Sequence, residues 1–236
     1  KNNSDEARTA IVTITAGNGD AQATATVTIR QQKEQTEVAA FQIGDFVKMD
    51  GGTELAEGGI VFWVEGNNAK ILSLKRSATA INWANEGFTD ALGLTDQEDG
   101  EANTQKLRES GIAANIPILE YCKDGWYLPA RNEMEAVFNA YNGGSSQSIG
   151  LKPDAIKQEE KDARAAWDKI LTDNGGDVMN VKADNTAGDS YFTSTEADDA
   201  SKVFYVRFGQ WNPGLTGAKY AKSPARYVRC IRKISK

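Results

Sequence analysis

The sequence predicts an α+β fold with a β-hairpin at its N-terminal end. Threonine, valine and isoleucine dominate residues 9–15 and 23–30 with near-alternating polarity, a pattern typical of strands. Much later, apolar residues recur at three-and-four spacing over residues 131–141, which is the pattern of an amphipathic helix. A chain of 236 residues is long enough for one medium domain preceded by a small β module.

The first predicted domain comprises residues 1–37 and contains the hairpin. Gly17, Asn18 and Gly19 lie between its two arms and accept the positive φ angles of a tight reversal. This segment resembles the last two strands of a BACON-type immunoglobulin-like module, a domain often found in secreted or surface proteins that handle carbohydrate. An isolated hairpin is only marginally stable in water, so we expect it to dock on the main domain, pair with a partner strand or end a truncated sandwich. The polar residues 31–37 are predicted to form a linker.

A second hairpin is predicted at the start of the main domain. After a short apolar segment at residues 43–47, two β-rich runs at 59–64 and 70–74 are separated by Gly-Asn-Asn at 66–68. Residues 60–63 are all apolar. Both faces of that strand are therefore expected to be buried in the centre of a sheet.

Four helical segments are predicted in the middle of the chain. The best defined begins after Pro129, a residue favoured at a helix start, and ends at Gly143. The predicted helices cover residues 101–114, 116–121, 131–141 and 153–171.

Three strands are predicted in the last part of the chain, where β-branched and aromatic residues concentrate. They cover residues 191–195, 202–208 and 226–234. A long loop is predicted over residues 209–223.

The two cysteines, Cys122 and Cys230, lie 108 positions apart. A metal knuckle needs several ligands at short spacing, so this pair does not form one. We predict a disulfide, which on the loop-entropy model stabilises a closed loop of about 100 residues by roughly 4.7 kcal/mol. Two buried free thiols are the alternative.

Three ordered motifs accompany these cysteines: Gly-Trp-Tyr-Leu-Pro at 125–129, Tyr-Phe-Thr-Ser-Thr-Glu at 191–196 and Val-Arg-Cys-Ile-Arg at 228–232. From about Phe41 to Lys236 the chain resembles bacterial surface domains with a C-type-lectin-like fold, including the C-terminal domain of collagen-like adhesins, and we predict that residues 38–236 form this second domain. The resemblance implies a non-catalytic module for adhesion or glycan recognition, whose partner is a glycan or a surface protein.

The motif residues themselves suit an architectural role. Trp126 and Leu128 are large apolar anchors, and Thr193, Ser194 and Thr195 fit a pleated strand. Lectin-like folds host sugar binders, protein binders and enzymes, so the fold alone does not identify a ligand.

Composition excludes several classes of function. A formal net charge of −6 argues against nucleic-acid binding, which requires a basic face. The absence of histidine removes the usual general base and the commonest zinc ligand. No apolar run approaches the length of about 20 residues that crosses a bilayer, so we predict a protein that does not span the membrane. Since the sequence starts at Lys1, we expect a signal or lipoprotein leader to have been removed from a secreted or surface protein.

The predicted ligand-binding residues are Trp211, Asn212 and Tyr220 in the long loop. An aromatic face stacks on a sugar ring, and a neighbouring amide forms paired hydrogen bonds with hydroxyls. The alternative is a simple turn at residues 212–214, with Trp211 folded back onto the core.

Two groups of oxygen-bearing side chains are candidate calcium ligands. Neither has the loop spacing and terminal bidentate glutamate of a helix-loop-helix calcium site, so we predict solvated loops without a metal, and no other cofactor. The groups are Asp96, Glu98, Asp99 and Glu101, and Asp173, Asn174, Asp177 and Asn180.

Two further functions stay open. An assembly subunit would use the exposed hairpin for edge pairing with a neighbour. An enzyme is the other, because formylglycine-generating enzymes and their relatives share a lectin-like core and use cysteines. Their reactive thiols lie close together late in the domain, whereas Cys122 precedes the Gly-Trp motif and no histidine accompanies it, so we expect no catalysis. The basic C-terminal stretch, from Lys219 onward, is expected to pair with the acidic remainder of the chain.

Overall fold

The computed structural model describes residues 8–17, 23–31, 40–49, 58–144, 157–181, 188–208, 215–219 and 226–236. The chain divides into two compact units, Lys1–Ala39 and Ala40–Lys236. Within the described ranges, helices and strands occupy separate segments, so the predicted α+β class is confirmed.

The first unit contains the predicted hairpin. Strands β1 (Arg8–Ala16) and β2 (Ala23–Gln31) pair antiparallel, with Val12 opposite Val27. Every side chain described in these strands is exposed, and the exposed fraction of Ile11 reaches 68%. The ladder of backbone hydrogen bonds, rather than a core of described side chains, therefore holds this pair.

The second unit contains seven described strands and three described α-helices. The strands are β3 (Phe46–Lys48), β4 (Gly58–Glu65), β5 (Asn68–Ser73), β6 (Ser190–Glu196), β7 (Lys202–Arg207), β8 (Thr216–Ala218) and β9 (Ile231–Ser235). The helices are α1 (Gly100–Glu109), α2 (Arg131–Tyr141) and α3 (Gln158–Asp173), with short 3-10 turns at Ala113–Asn115 and Pro117–Glu120.

One sheet of this unit has the strand order β3-β4-β5-β9 among the described residues. The last strand returns to the start of the unit and pairs antiparallel with β5, with Ile71 opposite Arg232. In β4, Ile60 and Val61 are fully buried, which confirms the prediction of a central strand with two buried faces.

The second sheet of this unit has the order β6-β7-β8 in the described part of the chain. Strand β8 lies inside the segment predicted as a loop, so that part of the loop prediction was wrong. The Thr-Gly-Ala sequence of β8 has little β propensity. Its strand conformation comes from tertiary pairing, because Val203 lies opposite Gly217.

The predicted C-terminal strand was too long at its start. Arg226 and Tyr227 form only isolated bridges, to Ile81 and Tyr191 respectively, and β9 begins at Ile231. This part of the chain first pairs with β6, through Tyr227, and then with β5, through β9. The predicted strand is therefore divided between the two sheets.

Helix α2 has the predicted bounds, and Glu133 Oε2 accepts the Ala130 N–H at 2.9 Å at its start. Helix α1 ends at Glu109, five residues before its predicted end, because Ser110 has an extended backbone and donates its hydroxyl to the Leu107 carbonyl. Helix α3 starts at Gln158, and its predicted first residues up to 156 lie outside the described ranges.

Two clusters of buried side chains form the core of the second unit, and the predicted disulfide is confirmed in one of them. Cys122 and Cys230 are bonded, with 5.5 Å between their Cα atoms and almost no exposure. Trp126 and Leu128 lie in the same cluster, as expected of architectural residues. The second cluster contains Phe138, Tyr141, Trp167, Tyr191 and Phe208.

Candidate functional site

A groove of about 730 Å³ lies at one end of the β3-β4-β5-β9 sheet. It is lined by the C-terminal ends of β4 and β9, the N-terminal end of β5 and residues near β3. We refer to it as the sheet-end groove. Its strands come from both ends of the second unit, which β5–β9 pairing brings together.

The apolar lining lies mainly on one face of the sheet. Ala69 is buried in the first core cluster, and four partly buried side chains pack against that cluster: Phe41, Val47, Met49 and Ile234. Because these four side chains are only partly buried, part of the apolar surface of this face is exposed to solvent at the end of the sheet.

The pleat of β9 gives its two faces different roles. Side chains alternate along a strand, so Arg232 and Ile234 share one face and Lys233 lies on the other. By the same alternation, Lys236 lies on the face of Arg232 and Ile234. Its Nζ lies 4.3 Å from the centroid of the Phe41 ring. Two cations and an aromatic ring therefore accompany the apolar lining.

Arg232 is the groove cation that bonds to a backbone carbonyl rather than to a carboxylate in the described ranges. Its Nη1 donates to the Asp124 carbonyl at 3.0 Å, and within the described ranges it has no ion pair with a carboxylate. The guanidinium passes over Gly125, where a Cβ would lie 3.3 Å from the Arg232 Cζ. Gly125 has a φ of 85°, so its small size and its backbone conformation both suit this position.

The lysines of the opposite face are paired with carboxylates. Lys70 Nζ lies 2.6 Å from Glu133 Oε1, and Lys233 Nζ lies 2.9 Å from Glu101 Oε2. Partial burial works to lower the pKa of Lys233, but the carboxylates of Glu101 and Asp99 outweigh it and raise that pKa. These two positive charges are therefore largely neutralised.

Three exposed polar side chains complete the groove lining. Glu65, Asn68 and Ser235 are register neighbours across β4, β5 and β9. Side chains at such positions lie about 5 Å apart. A carboxylate, an amide and a hydroxyl are thus available side by side for hydrogen bonds with a polar ligand.

The ligand-binding residues predicted from the sequence, Trp211, Asn212 and Tyr220, lie outside the described residues. The segment with the first two connects β7 to β8, while the groove residues belong to the other sheet. The sheet-end groove was not predicted. Its residues are far apart in the sequence, and the pairing of β9 with β5 brings them together.

The burial of Lys219 and the identity of its carboxylate partner were not predicted from the sequence. Lys219 is fully buried, and its Nζ bonds to Glu196 Oε1 and, at 2.6 Å, to the Asp90 carbonyl. Glu196 also accepts the N–H groups of Leu92 and Leu94, both at 3.0 Å. Burial works to raise the pKa of Glu196, but Lys219 and these N–H groups lower it overall. The pair holds the 90–94 segment against β6.

The first acidic group organises a helix start. Asp96 Oδ1 accepts the N–H groups of Glu98 and Asp99, and Asp99 Oδ1 accepts that of Ala102 in α1. Burial works to raise the pKa of Asp99, but the Ala102 N–H and Lys233 lower it overall. Among the residues that the structure describes, no three acidic or cysteine side chains are grouped to hold a metal ion.

The basic C-terminal stretch has mixed roles. Lys219 and Lys233 pair with carboxylates, as expected. In contrast, the guanidinium of Arg226 lies 3.6 Å from the centroid of the Tyr205 ring, and Arg229 donates to the Ser73 carbonyl at 2.9 Å.

Comparison with known proteins gave no match: no protein-family model, no curated protein and no solved structure is similar to this chain. In the described ranges, no helix has the length and apolar character needed to cross a membrane.

Proposed function

We propose that this protein is a non-catalytic binding module that recognises oligosaccharides in adhesion or glycan capture. The sheet-end groove supports the proposal, since it combines the half-buried Phe41 ring with the amide of Asn68 and the carboxylate of Glu65. Aromatic rings stack on the apolar face of a sugar, and amides and carboxylates bind its hydroxyls. The volume of about 730 Å³ is typical of a small-molecule site.

We also propose that the second unit has a C-type-lectin-like fold and that the first unit is part of a BACON-type module. The return of β9 to β5 supports the first assignment, because the last strand then closes the unit. The disulfide reinforces that closure by joining Cys230 to the segment before α2.

An extracytoplasmic location, at the cell surface or after secretion, belongs to the same proposal. A buried disulfide favours it, because such bonds persist in oxidising compartments.

The test is a glycan array with the full chain, followed by calorimetry with the best ligand. Phe41→Leu keeps an apolar side chain but removes the stacking face, and we expect affinity to fall about tenfold. Phe46→Leu is the matched control, because Phe46 is an exposed ring of β3 that does not line the groove. Absence of any bound glycan, or equal affinity of the Phe41→Leu variant and the original chain, would overturn the proposal.

A second candidate is assembly through the hairpin, favoured by the exposed Ile11, Ile14 and Ile29 of β1 and β2. In this function, the hairpin of one copy pairs with that of another. Light scattering after size-exclusion chromatography tests it. A concentration-dependent oligomer that disappears on deletion of residues 1–32 would support assembly, and a monomer at every concentration would reject it.

A further inference from the structure

We propose that the sheet-end groove selects acidic oligosaccharides, and that Arg232 binds the carboxylate or sulfate of the sugar. This inference rests on the proposed function and names the class of glycan. The distribution of charge between the two faces of β9 supports it.

The groove lining has more cationic than acidic side chains, although the protein as a whole is acidic. The chain has a formal net charge of −6, whereas three cations and one acid line the groove: Lys70, Arg232, Lys233 and Glu65. Lys70 and Lys233 lie on the opposite face of the sheet, where each is paired with a carboxylate. This leaves Arg232 as the groove cation without a carboxylate partner in the described ranges, on the face that carries the apolar lining, while Glu65 is the acid of the lining and lies on the opposite face.

The geometry of Arg232 suits an oxyanion that offers two acceptor oxygens. A guanidinium has five N–H donors, and the hydrogen bond of Arg232 to the Asp124 carbonyl, at 3.0 Å, uses Nη1. That bond fixes the side chain while donors remain for a ligand. Guanidinium groups bind carboxylate and sulfate through two parallel hydrogen bonds, which an ammonium group cannot form.

The neighbouring groups favour a sugar acid over a simple anion. Phe41 provides a ring at the same face, with the Lys236 ammonium 4.3 Å from its centroid. A pyranose ring that stacks on Phe41 takes the place of this ammonium over the ring, and an acidic substituent at the edge of the sugar can then extend toward a cation. Asn68 and Ser235 line the same groove from the opposite face of the sheet, so they are available to sugar hydroxyls that extend past the end of the sheet.

The experiment compares three probes of equal length by calorimetry with the full chain: an oligogalacturonate, a sulfated galactose oligomer and a neutral galactose oligomer. We expect at least one acidic probe to bind about tenfold more tightly than the neutral one, since a charge-assisted hydrogen bond contributes more than a neutral bond. The acidic probe that binds more tightly identifies the anionic group. Its affinity should also fall as salt is raised, because Arg232 is partly exposed.

Variants of Arg232 assign the effect to this side chain. Arg232→Gln should abolish the preference for acidic probes, and Arg232→Lys should keep only part of it. Arg207→Gln is the control, because it removes the same charge from a partly exposed position in the other sheet. Melting curves for each variant establish that it is folded.

The outcomes separate the two proposals. Equal affinity for acidic and neutral probes, or a preference that survives Arg232→Gln, overturns this inference but leaves the proposed function intact. Failure of every glycan on the array and of all three probes overturns both.

Discussion

The ion pair between Lys219 and Glu196 predicts a large loss of stability when Glu196 is replaced by glutamine. The exposed fractions of the two side chains are 0% and 5%. Lys219 lies between two rings, with its Nζ 5.5 Å from the centroids of both Trp83 and Phe88. In Glu196→Gln, the ammonium would therefore lose its counter-charge in an apolar setting.

The expected magnitude follows from that burial. Removal of one partner from a buried ion pair costs about 3–5 kcal/mol, because the remaining charge stays desolvated and uncompensated. Glutamine retains one carbonyl oxygen and can still accept a hydrogen bond, so we expect the lower end, about 3 kcal/mol. This corresponds to a change of roughly 150-fold in the folding equilibrium constant.

Urea denaturation followed by tryptophan fluorescence measures the effect, since Trp83 is buried beside Lys219. A double-mutant cycle with Lys219→Met and Glu196→Leu separates the interaction energy between the two side chains from the energy of their contacts with other residues. We expect each single variant to be strongly destabilised and the double variant to recover most of the loss, because an apolar pair of similar volume needs no counter-charge. A cost below about 1 kcal/mol for Glu196→Gln, or additive effects of the two singles, would refute the reasoning.

The pH dependence gives an independent check on the same residue. The pKa of Glu196 is lowered in the folded protein, so its contribution to stability is present above the unfolded pKa of about 4.3. That contribution is lost as pH falls through the folded pKa. Glu196→Gln removes the titrating group, so acid should destabilise this variant less than the original chain. An equal acid-induced loss in both proteins would contradict the assignment.

Three other perturbations have defined outcomes. Replacing Cys122 and Cys230 by serine opens a cross-link with a sequence separation of 108, and the loop-entropy model gives a loss of up to about 4.8 kcal/mol in urea unfolding. Gly100→Ala should lower the melting temperature, since its Cβ would lie 2.2 Å from a backbone carbonyl oxygen, whereas Gly111→Ala meets open space and should change stability by less than about 0.5 kcal/mol. Lys233→Gln should change stability by less than about 1 kcal/mol at neutral pH, because the exposed fraction of this lysine is 43%. Since the pKa of Lys233 is raised on folding, its contribution is present below the unfolded pKa of about 10.4 and is lost as pH rises through the folded pKa.

Elements that depend on local patterns were predicted well from the sequence. Helix α2 has a proline before it, a spaced apolar face and a glycine after it, and its predicted and observed bounds agree. The arms of both hairpins were placed within two residues of the observed strands. In each case the signals lie within the element itself.

Features that depend on distant pairing were not predicted. Strand β8 has no β-rich sequence and exists because β7 lies beside it. Lys219 gives no sign in the sequence that Glu196 and the 90–94 segment surround it. The groove likewise combines Phe41 with residues near the C-terminal end of the chain, which a search for local motifs does not join.

The alternation of side chains along β9 gives one short strand a role in the core on one face and a role in the proposed recognition on the other. Ile231 is buried in the second core cluster, and Lys233 is paired with carboxylates on that same face. The other face carries Arg232 and Ile234 into the groove. A shift of one residue in the β5–β9 register would exchange these faces and bury Arg232 against the helices. The bond between Cys122 and Cys230 restrains the strand immediately before Ile231, so the same cross-link that stabilises the fold also fixes which face Arg232 occupies.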